Sequence, residues 1–350
     1  MASLATVTKE TRLTLKILAA LSVGGFLLFM IFKGGALLKN ILFPTPAPPP
    51  VQKFGKLPHI DFPSKGGEGI EYRINTVSGQ LPVLADRSDV YEIAKPQPNL
   101  LALDNARSRV SNDDFVQNET KITDTLYQWT QINTGIIIQY DILDQNFTIA
   151  SNYLNNPGLS SNIRLPDKEK IKQDVIAYLG SIGSPIDDID LGKSKVVLLQ
   201  NSSGNLIEAE NLANAKYANI NLVQNDINGT GIVYPDPTRS ILNFTVSYPV
   251  REVKPLEGQF YHYRPVVDTK SDYPIKTADQ GLEDLKRGNA YIINPQKLTT
   301  VDITDVAVKF YLGDKTKDYF LPVIVYTGIN FTAYVEAIPD TSLADGVMQP

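Results

Sequence analysis

Sixteen consecutive residues without a charge, Ile17 to Phe32 (ILAALSVGGFLLFMIF), constrain this chain more than anything that follows them. Lys16 closes the stretch on one side and Lys33 on the other. A spanning helix needs about 20 mostly apolar residues to cross ~30 Å of hydrocarbon. The uncharged core is shorter than that, but Leu13 and Leu15 extend it one way and Ala36, Leu37 and Leu38 the other. Lys16 and Lys33 would then carry their ammonium groups to the headgroups. No A-x-A cleavage site follows Phe32, which favours an uncleaved signal-anchor over a removed signal peptide. Lys9, Arg12 and Lys16 precede the stretch and Lys33 and Lys39 follow it, so the very short N-terminal tail decides the orientation. The expectation is a cytoplasmic tail over residues 1–12 and a single-pass transmembrane anchor over 13–38. The lipid bilayer is then a partner through 13–38, the protein sits in the cell membrane, and the bulk of the chain is extracytoplasmic.

The chain has 350 residues, and the roughly 290 beyond the anchor and its linker suffice for two modest domains. Cysteine is absent, which excludes disulfides, thiolate metal sites and cysteine nucleophiles. A disulfide-free body of this size rests on its hydrophobic core and suits a bacterial envelope better than a eukaryotic ectodomain. Residues 1–43 hold five Lys or Arg and one Glu, which leaves 28 basic against 37 acidic residues in the rest. Such an acidic body with no basic run is a poor match for nucleic acid.

Residues 39–66 read as a Pro-rich linker and docking segment. Pro44 to Pro50 (PTPAPPP) favours polyproline II, a semi-rigid spacer roughly 20 Å long. Phe54, Leu57, Ile60 and Phe62 predict that the next stretch is extended and docks on the first domain. Gly66-Gly67-Glu68-Gly69 reads as a hinge, because no strand precedes it and no Lys-Ser/Thr follows. Glu71 to Val77, Thr125 to Gln131, Gly135 to Ile142 and Phe147 to Ala150 read as strands, and Leu100 to Val110 as a short helix. Trp129, the only tryptophan, reads as a core residue.

The clearest helix follows Pro166, with Asp167 as N-cap, Ile171, Val175, Ile176, Leu179 and Ile182 as its apolar stripe, and Gly183 as its stop. Lys168, Glu169, Lys170, Lys172 and Gln173 make the opposite, solvated face. Asn201 to Gly204 marks a hairpin between strands at 195–200 and 205–210. Asn228-Gly229 marks a second turn, between Ala218–Val223 and Gly231–Tyr234. Ile241 to Tyr248 alternates as a strand. Thr277 and Gln280 form a capping-box pair for a helix stopped by Gly288. Strands are expected at Ala290–Ile293, Val301–Tyr311, Tyr319–Thr327 and Phe331–Val335, with Pro322 assigning the third to an edge or a bulge.

The C-terminal third, TADQGLEDLKRGNAYI followed by VAVKFYLGDKTKDYFLPVIVYTG and FTAYVEAI, resembles the PepSY and YycH/YycI-like extracytoplasmic domains of bacteria. Tyr319, Leu321, Pro322, Val323, Val325, Tyr326 and Gly328 carry the likeness over residues 270–338, and Phe320 and Ile324 fit its apolar spacing. The tail, apolar stretch, proline spacer and FGKLP also resemble the layout of uncharacterised single-pass envelope proteins of small-genome bacteria. The resemblance implies an outward-facing interaction or regulatory domain and transfers no catalytic residue.

Chemistry is sparse. His59 and His262 are the only histidines, too few for a His-rich metal site. Neither a G-x-S-x-G elbow, a P-loop nor an H-E-x-x-H is present. Asp187-Asp188-Ile189-Asp190 is the densest carboxylate cluster, but it fails the EF-hand pattern and reads as a solvated loop. Asp302 and Asp305 are a candidate acid/base pair whose separation spacing alone leaves open. Six N-x-S/T sequons stand at Asn118, Asn146, Asn201, Asn228, Asn243 and Asn330.

The fold expected is α+β: beyond the anchor, antiparallel sheets each covered by a helix, in two lobes over residues 67–160 and 161–338, the second subdivided near 250–270. A flexible tail follows over 339–350. The function expected is a non-enzymatic, membrane-anchored extracytoplasmic module that binds an envelope protein or peptide. The alternative is an envelope hydrolase using a carboxylate pair. Catalytic, cofactor-binding and metal-binding residues are expected to be absent, and Tyr311, Tyr319, Pro322, Tyr326 and Tyr334 are the expected partner-binding residues.

Overall fold

The computed structural model describes residues 18, 21–26, 29–30, 33, 48–97, 99–156, 159, 163–249, 251–293, 299–313, 316 and 318–344. The chain divides into two compact units, Met1–Pro49 and Pro50–Pro350. In the first, residues 18, 21–26, 29, 30 and 33 are helical, and Leu18, Leu21, Val23, Phe26, Phe29 and Met30 are exposed. Among the described residues no helix is long and apolar enough to cross a membrane. The expected single-pass signal-anchor and the membrane localisation are corrected accordingly. The tail expected over 1–12, residues 34–47 of the linker, and residues 345–350 lie outside the described residues.

Residues 50–350 are β-rich, with seventeen strands against three helices among the described elements. The first sheet is nine-stranded, and its neighbours pair antiparallel throughout. Its members are β3 (Phe115–Lys121), β4 (Leu126–Gln131), β5 (Ile137–Asp141), β6 (Phe147–Ala150), β7 (Lys195–Ser202), β8 (Asn205–Glu208), β9 (Tyr217–Asn221), β11 (Leu242–Ser247) and β12 (Lys254–Phe260). They lie in the order β3-β4-β5-β6-β12-β11-β9-β7-β8. The second sheet is eight-stranded, and β1 (Glu71–Ile74), β15 (Thr300–Tyr311), β16 (Tyr319–Gly328), β17 (Phe331–Glu336) and β14 (Tyr291–Ile292) form its main path. Off that path, β10 (Ile232–Val233) pairs with β15, and β2 (Arg87–Glu92) pairs with both β16 and β13 (Ser271–Pro274).

Two expectations about this architecture are corrected. One is the helix-covered α+β arrangement. Nine strands at ~4.8 Å spacing make a sheet about 38 Å wide, whereas fourteen helical residues reach about 21 Å. The helices α1 (Ala102–Ser111), α2 (Lys168–Ser181) and α3 (Ala278–Lys286) therefore each seal part of a face, and aromatic side chains from strands and loops complete the cover. The other is the two-lobe division. Strands on both sides of residues 151–166 build the same nine-stranded sheet, and one hydrophobic core holds Trp129, Phe147 and Phe244 of that sheet with Tyr91, Phe310 and Phe320 of the other.

Local signals translate well. Asp167 accepts a hydrogen bond from the Lys170 amide, and Thr277 and Gln280 cap α3 reciprocally. At the end of α2 the Ser184 amide reaches the Leu179 carbonyl and the Gly183 amide the Gly180 carbonyl, with Gly183 at φ +73°. That is a Schellman closure, which needs a left-handed residue where glycine stands. Lys172 departs from the expected solvated face. Its side chain is only 10% exposed, and its Nζ donates to the Leu191 carbonyl at 3.0 Å and pairs with Glu169.

The docking segment lies on the eight-stranded sheet and the C-terminus. Leu57 is fully buried, its amide donates to Ser342 and its carbonyl accepts from Ala344. Phe54 packs on Tyr273 and Tyr319, and Phe62 on Tyr291 and Tyr311. Leu343 is 2% exposed, so the expected flexible tail is docked as far as Ala344. The Gly66–Gly69 hinge is pinned as well, by a Gly66 amide bond to the Ala290 carbonyl.

Candidate functional site

A cleft of about 640 Å³ opens between the two sheets. One wall is β4, β5 and β6 of the nine-stranded sheet, through Leu126, Gln139, Phe147 and Thr148. The β5–β6 turn adds Leu143, Asp144 and Asn146, and the strand end after β12 adds Tyr261, His262 and Tyr263. From the eight-stranded sheet come Ile93 to Pro96 after β2, and Thr316 and Asp318 before β16. Backbone bonds fasten that side, with the Ile93 amide on the Asp318 carbonyl and the Ala94 amide on Arg264.

The polar groups of the cleft are largely engaged in its walls. One oxygen of Asp141 accepts from the amides of Leu143 and Asp144, both at 2.9 Å, and the other from the Thr125 hydroxyl at 2.7 Å. This folded-back turn presents Asp144 at the cleft mouth. Burial, helped by the nearby Asp141 charge, pushes the Asp144 carboxyl above its ordinary value. Its side chain makes no hydrogen bond or ion pair among the described residues. Lys95 pairs with Asp318 at 2.6 Å, and Asn146 accepts from the His262 amide at 2.9 Å.

Behind the cleft lies a buried polar cluster. The His262 side chain is 3% exposed, stacks on Phe260 with ring centres 5.5 Å apart, and donates from Nε2 to Asp188 at 2.6 Å. Gln224 donates to Asp188 at 3.0 Å and to the Tyr263 carbonyl at 2.7 Å. Burial pushes the Asp188 carboxyl up, but the hydrogen bond and charge of His262, with Gln224 and Arg264, outweigh it and hold the group below its ordinary value.

The Asp187–Asp190 run is divided among separate partners. Asp187 pairs with Arg264, Asp188 with His262, and Asp190 caps a turn through the Lys193 amide. Among the described residues no group of three or more His, Cys, Asp or Glu could hold a metal ion. Asp302 and Asp305 are both exposed on β15 and enter no cleft described here. His59 sits apart, 2.9 Å from Glu336 in a pocket of about 340 Å³. Asn146 and Asn243 are buried, whereas Asn118, Asn201, Asn228 and Asn330 are exposed.

The tyrosines expected to meet a partner are mostly packed inside. Tyr326 is fully buried and donates to the Ala278 carbonyl at 2.6 Å. Tyr311 and Tyr334 meet edge-on at 5.9 Å within a small core beneath Phe62, and Pro322 is buried beside them in sequence. Tyr319 alone is half-buried, in a pocket with His59 and Asp61. Pro322 is not on an edge strand, because β16 lies between β15 and its other neighbours. It stands where β16 changes partner, since Val323 pairs with Glu336 of β17 while Phe320 pairs with Tyr91 of β2. Its carbonyl faces that seam, accepting from Ala337, so the missing N–H falls where neither strand needs it. Sequence reasoning missed the cleft because its titratable members, Lys95, Asp141, Asp144, His262 and Asp318, come from four separate segments without a shared spacing.

No family model and no curated protein matches the chain. Among solved structures, it is similar to an uncharacterized protein from Eubacterium rectale ATCC 33656, with 11% sequence identity and a TM-score of 0.37. The similarity covers 73% of this chain and 79% of that one.

Proposed function

We propose that this chain is an interaction module and not an enzyme, and that its inter-sheet cleft takes a short segment of a partner protein or peptide. The cleft, at about 640 Å³, falls in the size range of binding clefts, and its apolar wall residues suit a peptide side chain. One observation carries the reading. Asp141, Asn146, Lys95 and His262 are all engaged in wall structure, so the cleft offers shape and charge instead of an aligned nucleophile and base. Asp144, left without a side-chain partner among the described residues, receives a basic group of the ligand. The resemblance of residues 270–338 to PepSY-type domains points the same way.

The test is a random peptide library displayed on phage and panned on the protein. Enriched peptides are expected to carry Lys or Arg and to lose about tenfold or more in affinity for Asp144→Lys, which melts as the parent does. Equal binding to both proteins removes the cleft from the reading. Hydrolysis of a panel of chromogenic glycosides, abolished by Asp141→Asn or Asp144→Asn, replaces the reading with a carboxylate hydrolase.

A further inference from the structure

The twelve-residue strand β15 is paired nearly continuously on one side and only at its two ends on the other. Toward β16 it is paired from Ile303 to Tyr311. On the opposite side β1 runs parallel to it opposite Thr300 to Ile303, and β10 runs parallel opposite Phe310 and Tyr311. Between those two, residues 304–309 have no strand partner among the described residues. The register states which backbone groups face the opening. The Phe310 amide bonds to the Gly231 carbonyl, so Phe310 points its main-chain groups away from β16. Alternate residues of a strand repeat that direction, so the N–H and C=O groups of Val306 and Val308 also face the slot. Both side chains turn to the core face, with Val306 5% exposed and Val308 partly buried against the same hydrophobic core. On the other face Asp305 and Lys309 stand four residues apart, and neither enters an ion pair among the described residues.

We infer that this slot is a strand-addition site for an extended peptide of a partner protein, lying parallel to β15 and in line with β1 and β10. Four unpaired main-chain groups on Val306 and Val308 supply the hydrogen bonds, and the six-residue opening admits about 20 Å of extended chain. The charges set the direction and the sequence class. The peptide carries a basic residue opposite Asp305, small or β-branched residues opposite Val306 to Val308, and an acidic residue opposite Lys309. This site is independent of the inter-sheet cleft.

The probe is the synthetic peptide Thr-Lys-Val-Thr-Val-Glu-Thr, compared with the same peptide with Lys and Glu exchanged. Amide hydrogen exchange, read by NMR on the full chain, is expected to slow at Val306 and Val308 when the first peptide is added. The exchanged peptide is expected to bind about tenfold more weakly. The double variant Asp305→Lys with Lys309→Glu, altered only in solvent-reaching side chains, is expected to reverse that preference. Val308→Pro removes a slot-facing donor without touching the β16 ladder and is expected to abolish binding of the first peptide. Unchanged exchange at Val306 and Val308 under saturating peptide overturns the inference. So does a double variant that keeps the parent's preference.

Discussion

Asp188 accepts a 2.6 Å hydrogen bond from Nε2 of His262, a residue 74 positions further along the chain. The contact ties the loop after α2 to the end of β12, and Gln224 braces it from a third segment. A partly buried carboxylate this well held is a stability device with a definite pH dependence. Because folding lowers the Asp188 carboxyl below its ordinary value, the stability it contributes is complete above that value, about 4, and is lost as pH falls through the folded one. Asp188→Asn is therefore expected to destabilise the protein near neutral pH by about 1–3 kcal/mol, with the deficit shrinking toward pH 3. Urea midpoints across that range check it; parallel curves for parent and variant would refute it.

Asp144 has the opposite sign. Burial and the Asp141 charge raise its carboxyl, so ionising it weakens the fold, and that cost is present above the raised value and relieved as pH falls. Asp144→Asn is expected to leave the protein equally or slightly more stable at pH 7, by less than about 1 kcal/mol given its exposure. A loss of stability at pH 7 in thermal melts would show that the ionised carboxylate holds the cleft mouth together.

The apolar stripe of α2 is graded. Leu179 is fully buried in the main core, while Ile176 only packs against its margin. Leu179→Ala is expected to cost about 2–5 kcal/mol and Ile176→Ala clearly less. Denaturant unfolding of both variants measures the difference, and a Leu179→Ala effect below about 0.5 kcal/mol would place that face in solvent.

What was legible in the chain follows the range of the interaction concerned. The Thr277–Gln280 box and the Gly183 stop involve residues a turn apart, so their residue types announce them. The strands from Val301 to Val335 declare themselves by alternation and β-branched composition. Partnership was not legible. Asn228-Gly229 does make a tight turn, bridged by Ile227 and Thr230, yet β9 before it and β10 after it belong to different sheets. The strand β12 was missed because Pro255 and Gly258 interrupt its pattern. It is a strand because β11 and β6 flank it, with a bulge at Thr245/Val246 opposite Pro255. The same holds for β11, which reads as half-buried but is buried along its full length between two neighbours. The Asp188–His262 pair belongs to this long-range class, and so does the Lys172 contact with the Leu191 carbonyl.

Gly281 offers the sharpest test of packing between α3 and its sheet. A Cβ built there lies 2.5 Å from the Tyr326 hydroxyl and 2.9 Å from Ile324 Cδ1. Replacing glycine by alanine inside a helix ordinarily gains about 1 kcal/mol. Here the gain is opposed by overpacking, typically about 1–3 kcal/mol, and by displacement of the hydroxyl from the Ala278 carbonyl, worth roughly 0.5–1.5 kcal/mol. Gly281→Ala is therefore expected to destabilise despite its better helix propensity, by about 1–3 kcal/mol net. The cause is separable. Tyr326→Phe removes the nearest atom, so Gly281→Ala is expected to cost less in that background, giving a favourable coupling in a double-mutant cycle. Ile324 Cδ1 is the far end of a flexible side chain and accommodates the remaining contact by a rotamer change. If Gly281→Ala raises the denaturation midpoint, or costs the same with and without the Tyr326 hydroxyl, then α3 stands further from β16 than the close approach at Gly281 requires.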